Sequence, residues 1–202
     1  MTRLKTACLT TALTLAALLG QPARAETTYQ DADAIAALNG TWASPAAEDW
    51  GRGTFGTRSF TFKGGTWSLD FALALDPGMN AKVFEFHTTG TYDVLAPSAT
   101  VPGAFEMLFR EDIKAVTLGA TDPGLIEAFG LAGCNLTPDM KTDISATGCA
   151  IWKPVAECGE DHDLLALDAD QNLYFGVRPA DNDMCTPDKR PTALLPAVVK
   201  QN

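Results

Sequence analysis

The chain has 202 residues, with 15 Lys and Arg against 25 Asp and Glu, for a formal charge of −10 at neutral pH. So acidic a surface is repelled by phosphate backbones and anionic lipid headgroups, which excludes nucleic acid as a natural partner. The length suits about one domain.

The first segment reads as a secretory signal. Arg3 and Lys5 supply a positive start, and Thr6 to Gly20 is an uncharged run rich in Ala, Leu and Thr. Gln21-Pro22 breaks that run, and Ala23-Arg24-Ala25 puts small residues where a signal peptidase cleaves, so cleavage is expected before Glu26. The run is shorter than the ~20 apolar residues of a spanning helix, and nothing later replaces it. An exported protein follows, periplasmic or secreted and not integral to the membrane. Its single domain is expected to span residues 26–202. Removing Arg3, Lys5 and Arg24 leaves 12 basic against 25 acidic residues, a charge of −13.

Asp31 to Leu38 predicts a short helix with Ile35 and Leu38 facing inward, followed at once by Gly40-Thr41-Trp42. From Gly56 the period of the hydrophobic pattern becomes two. Arg58, Phe60 and Phe62 share one strand face, Gly64-Gly65 supplies a two-residue hairpin turn, and Thr66 to Leu75 continues with Trp67, Leu69, Phe71, Leu73 and Leu75 on one side. After the Asp76-Pro77-Gly78 turn, Lys82 to Val94 is a long strand. Phe84, Phe86, Tyr92 and Val94 lie on one face; Glu85, His87, Thr89, Thr91 and Asp93 lie on the other. Phe105, Met107 and Phe109 alternate in the next strand, with Lys114–Leu118 as its expected partner. Such alternation describes an antiparallel sheet with one wet face.

One helix interrupts this pattern. Thr121 or Asp122 can cap it, Pro123 suits its first turn, Leu125, Ile126 and Phe129 make its apolar stripe, and Gly130 can end it. Beyond it Ile144–Trp152 reads as a strand, and Leu164–Leu167 with Leu173–Val177 reads as a hairpin. The Pro-rich tail from Thr186 is expected to wrap the surface. The whole predicts an all-β, mainly antiparallel fold with one or two short helices, a meander that curls into a barrel, which also removes exposed strand edges.

Cys134, Cys149, Cys158 and Cys185 form an even set in an exported chain, so two disulfides are expected. Three pairings exist; Cys134–Cys149 and Cys158–Cys185, which close local loops, are the favoured one. Zinc lacks both a C-x-x-C and sufficient histidines, and no metal or other cofactor is expected. The oxygen-rich Asp168, Asp170 and Asn172 are spaced like the opening of a calcium loop, but Leu173 and Pro179 occupy its Gly and Glu positions, and a polar turn explains them. Glu160-Asp161-His162-Asp163 could pair acid with base, though adjacent acids ordinarily form a solvated turn. His87 with Glu85 and Asp70 could serve as a general base on the polar strand face, against the simpler reading of a solvent-facing surface. No G-x-S-x-G elbow and no phosphate loop occurs, so catalysis is not expected.

The order of motifs resembles the adenomatosis-polyposis-coli-down-regulated domain family. The resemblance rests on Leu38-Asn-Gly-Thr-Trp-Ala-Ser44, Arg58-Ser-Phe-Thr-Phe62, the Gly-Gly hairpin with Trp67, His162-x-Leu164-Leu165, Leu173-Tyr-Phe-Gly-Val-Arg-Pro179, Met184-Cys-Thr-Pro187 and Arg190-Pro-Thr-Ala-Leu194. It implies a lipocalin-like meander β-barrel or half-barrel that binds hydrophobic ligands. It also differs, because Pro45–Glu48 and Asp76–Asn80 lack the cysteines that the family usually carries there. Gly40 and Trp42 match the G-x-W with which small ligand-binding barrels often begin, where the Trp plugs the closed end. On this reading Trp67, Leu69, Phe71 and Phe84, with Phe86, Phe105, Met107 and Phe109, form one apolar wall against a hydrophobic small molecule or lipid. The alternative is an envelope module that docks a partner protein and has no ligand cavity.

Overall fold

A computed structural model describes residues 36–201. The signal segment and most of the 31–38 helix lie outside the described residues. Leu38, expected to face inward, is buried.

Ten strands form one antiparallel sheet: β1 (Gly40–Ala43), β2 (Glu48–Gly51), β3 (Thr54–Lys63), β4 (Thr66–Ala74), β5 (Lys82–Pro97), β6 (Phe105–Leu118), β7 (Lys141–Asp143), β8 (Glu160–Leu167), β9 (Asn172–Phe175) and β10 (Val198–Lys200). Eight of them close a ring in the order β1, β3, β4, β5, β6, β8, β9, β10 and back to β1. Each neighbour is next in chain order once β2 and β7 are set aside, so the fold is an up-and-down barrel. Gly64 and Gly65 turn the β3–β4 hairpin with φ of 57° and 82°, values that favour glycine. The outward positions of β3, β4 and β5 include Ser59, Asp70 and His87 in register, a face suited to water. No helix among the described residues is long and apolar enough to cross a membrane.

The ring is complete only toward one end. β8 pairs with β6 over Phe105–Arg110, and β7 pairs with it over Ala115–Thr117. Likewise β1 lies along Ser59–Phe62 of β3, and β2 along Thr54–Gly56. No ladder joins β2 to β7, so the wall parts between them. The helix α1 (Pro123–Ala128) and the cysteine-bearing loops cover this end. Asp122 caps α1 by accepting from the Leu125 amide at 2.8 Å, and Gly130 follows its end at φ 70°.

Two apolar clusters follow from this plan. One fills the complete end, with Trp42, Phe62, Trp67, Met107 and Phe109 among its members. The other lies beneath α1 and the Cys134–Cys149 loop, with Phe84, Phe86, Val116, Leu131 and Trp152.

Four sequence expectations are corrected. Lys114–Leu118 is not a partner of the preceding strand but its continuation in β6, because Glu111-Asp112-Ile113 forms a bulge rather than a turn. Ile144–Trp152 is a succession of turns with one isolated bridge, Cys149 to Trp152. There Asp143 accepts from the Ser145 amide and Gly148 and Ala150 take positive φ. Leu75 is exposed, because the ladder shifts register after Leu73 and β4 ends at Ala74. The tail does more than wrap the surface: β10 closes the barrel between β9 and β1.

Candidate functional site

A cavity of about 620 Å³ lies between the two clusters, within the usual ~300–1,000 Å³ of ligand pockets. Trp67, Leu69, Phe71, Phe84, Phe86 and Phe109 all border it. They do so because inward positions of β4, β5 and β6 fall in register, with Phe71 opposite Phe86 and Leu69 opposite Thr88. Met107 is wholly buried in the complete-end core and Phe105 packs against that core; neither borders the cavity. Trp152, expected from its sequence in a strand, adds a face to the wall by stacking on Phe86 at 4.8 Å with an interplanar angle of 3°. Trp50 and Ile151 are both exposed and both border the cavity, so the entrance lies where the wall parts.

The structural residues hold the two ends. Trp42 is buried in the complete-end core, its Nε1 donates to the Leu38 carbonyl at 3.1 Å, and Lys200 Nζ sits 5.1 Å from its ring centre. Gly40, at φ 134°, lets Lys200 lie close: a Cβ there would stand 3.0 Å from Lys200 Cε. The disulfides are Cys134–Cys149 and Cys158–Cys185, the local pairing. They tie down the loops that carry Ala150 to Lys153 and Ala180 to Asn182 along the cavity. Two disulfides mark a protein of an oxidising, exported environment.

Charged side chains also border this cavity, and of these only Arg58 was placed on an apolar strand face by the sequence. Asp161 and Asp163 are buried in β8, not in a solvated turn. They pair in register with Phe109 and Met107, so they point inward as those residues do. Arg178, just past β9, meets Asp161 at 2.8 Å. Glu111 and Lys114, both in β6, pair at 2.7 Å, and Lys114 Nζ also donates to the Cys158 and Lys153 carbonyls. Arg58 borders the cavity from β3, with Glu48 2.8 Å from its Nη2 and the Pro196 carbonyl accepting from the same nitrogen. The signal for this cluster was the hydrophobic alternation itself. Extended without a break through Phe105, Met107 and Phe109, it reaches Glu111, and the run from Leu165 back toward Glu160 reaches Asp163 and Asp161.

Burial governs the acidity of these groups. Desolvation pushes the Asp163 carboxyl up to about 7, against the Arg178 charge and the amides of Leu164 and Gly176 that donate to its Oδ1. Desolvation also raises Glu111, with the Asp161 charge adding to it and Lys114 opposing it. Arg178 stays firmly protonated: burial works against its charge, but Asp161, Asp163 and Glu111 outweigh that. His162 faces away from the interior, where burial and then Arg190 lower its pKa.

The remaining candidates stand apart. His87 Nδ1 meets Asp70 Oδ1 at 2.6 Å on the outer face, and Glu85 pairs with Lys82, all outside the cavity. Asp168 organises its own turn by accepting from the Asp170 and Asn172 amides and from the Tyr174 hydroxyl.

The fold and site thus define an eight-stranded up-and-down barrel that encloses an aromatic cavity with a charged inner wall. No family model matches the chain, and a search of the curated proteins returns no match either.

Proposed function

We propose that this protein is an exported binding protein, periplasmic or secreted, that holds an acyl- or lipid-like ligand inside its barrel. The observation that carries this reading is the cavity itself, about 620 Å³ and walled by Trp67, Leu69, Phe71, Phe84, Phe86 and Phe109. A barrel of eight strands can be filled by its own side chains; here those side chains fill one end and leave room at the other. Burying a ligand's apolar surface against such a wall contributes roughly 25 cal/mol per Å². The opening between Trp50 and Ile151 supplies a route in, and the resemblance to the adenomatosis-polyposis-coli-down-regulated domain family agrees with the reading. An envelope module without a cavity would leave this space without a purpose.

Native mass spectrometry tests the proposal on protein purified from its exported compartment, before and after organic extraction. A defined extra mass that extraction removes is the expected result. A bare protein mass, with no uptake of added long-chain amphiphiles of any charge, would sink the carrier reading in favour of the partner-docking module.

A further inference from the structure

The apolar wall explains how a chain would be held, but not why three carboxylates and their partners face the same space. Buried charges are costly and are ordinarily removed or neutralised. Around Asp163 the facing groups are Glu111 and Lys114 from β6, Asp161 from β8, Arg58 from β3, and Arg178 and Arg190 from the C-terminal segment. Four of these are already matched: Lys114 with Glu111, and Arg178 with Asp161. Arg58 is matched by Glu48 through Nε and Nη2, its buried Nη1 having no hydrogen-bond partner among the described residues, and Arg190 reaches Glu106 while donating to the Asp163 backbone carbonyl. Asp163 is the carboxylate left over. Its Oδ1 accepts two amide hydrogens, while no donor among the described residues meets its Oδ2, although only 5% of the residue is exposed.

We propose that the ligand's head group is an organic cation, an amine or quaternary ammonium, which settles against Asp163 and Glu111 while its apolar chain lies along the aromatic wall. The proposal rests on the carrier reading and specifies it. A cation supplies the partner that Asp163 Oδ2 lacks; of the other cations bordering the cavity, Lys153 pairs with Asp183 and Arg52 lies exposed in the turn between β2 and β3. The faces of Trp152, Phe86 and Trp67 suit it as well, since aromatic rings attract cations through their quadrupole. An anionic head would meet an uncompensated carboxylate in a medium that screens it poorly. Burial raises both carboxyls, Asp163 to about 7, so below that pH Asp163 carries a proton. Binding a fixed cation therefore displaces a proton, and affinity rises with pH until Asp163 is ionised.

The test uses delipidated mature protein and three ligands of equal chain length, decyltrimethylammonium, decanol and decanoate, each titrated below its micelle concentration by calorimetry. At pH 8 the cation should bind at least about tenfold more tightly than decanol, and decanoate most weakly. Lowering the pH to 6 should weaken the cation by up to about tenfold per unit below pH 7, with a proton released on binding. Asp163→Asn should abolish the preference while decanol binding is kept; Glu111→Gln should reduce it and serves as the second variant. If decanol or decanoate binds as tightly as the cation, the head-group inference is overturned and the carrier reading survives. If none of the three binds, the carrier reading falls with it.

Discussion

Glu111 and Lys114 stand three residues apart on one strand, yet both side chains face the barrel interior and pair at 2.7 Å. On a regular strand, positions three apart point to opposite faces. The bulge in β6 resolves this: Asp112 and Ile113 are both exposed, and the ladder to β5 shifts register between Thr89 and Gly90. One extra residue therefore turns the inward set from odd to even numbers, from Phe109 and Glu111 to Lys114, Val116 and Leu118.

Gly90 makes that bulge possible. A Cβ on it would lie 1.8 Å from the Arg110 carbonyl oxygen, a backbone atom that cannot yield. Gly90→Ala is expected to cost more than about 3 kcal/mol of stability or to prevent folding. Urea denaturation followed by tryptophan fluorescence decides this; a loss within about 0.5 kcal/mol would show that the bulge tolerates a side chain.

Asp163 makes stability depend on pH. Its folded pKa of about 7 lies above the ordinary 3.8, so the folded state holds a proton that the unfolded chain releases. The resulting stability is present in full below pH 4 and is lost as the pH rises through 7, at up to roughly 1.4 kcal/mol per unit. His162, whose pKa is lowered, acts in the opposite sense, but equally in wild type and variant. Asp163→Asn keeps an acceptor for the Leu164 and Gly176 amides and should be the more stable protein at pH 8. Chemical denaturation at pH 5, 6, 7 and 8 should show the two curves diverging as pH rises. Parallel curves would mean that Asp163 is ionised throughout.

The Cys134–Cys149 bridge closes a loop of 15 residues over the end where the wall parts. Replacing both cysteines by alanine should cost about 2–4 kcal/mol. Hydrogen exchange should accelerate in the 144–153 segment while the amides of β3 and β4 keep their protection. Uniform acceleration would indicate that the loop is integral to the whole barrel.

Trp42 should behave as core, not as ligand wall. Trp42→Ala removes a side chain that is 1% exposed and its bond to Leu38, a loss expected at about 3–5 kcal/mol. The folded variant should still take up decanol as wild type does, since Trp42 does not border the cavity. A selective loss of uptake with little loss of stability would relocate the binding site to the complete end.

Much of this protein was legible as a linear pattern. Alternation in Arg58–Phe62, Trp67–Leu73, Phe84–Phe86 and Phe105–Phe109 determined which faces turn inward, because side chains on a strand alternate whatever lies beyond it. Gly64-Gly65 determined the first hairpin, Asp122-Pro123 the start of the helix, and the cysteine spacing the favoured pairing. Each is a local matter of backbone conformation or loop length. Tertiary structure alone decided the rest. Whether inward side chains meet as packed core or leave a cavity depends on strands far apart in sequence. So it is that Met107 is core, Phe109 borders open space and Trp152 arrives from a loop. The charged inner wall needed the β6 bulge and three separate segments of chain. Closure of the ring needed β10, three residues whose pattern carries too little periodicity to read and whose role comes entirely from the β1 and β9 edges waiting to be paired.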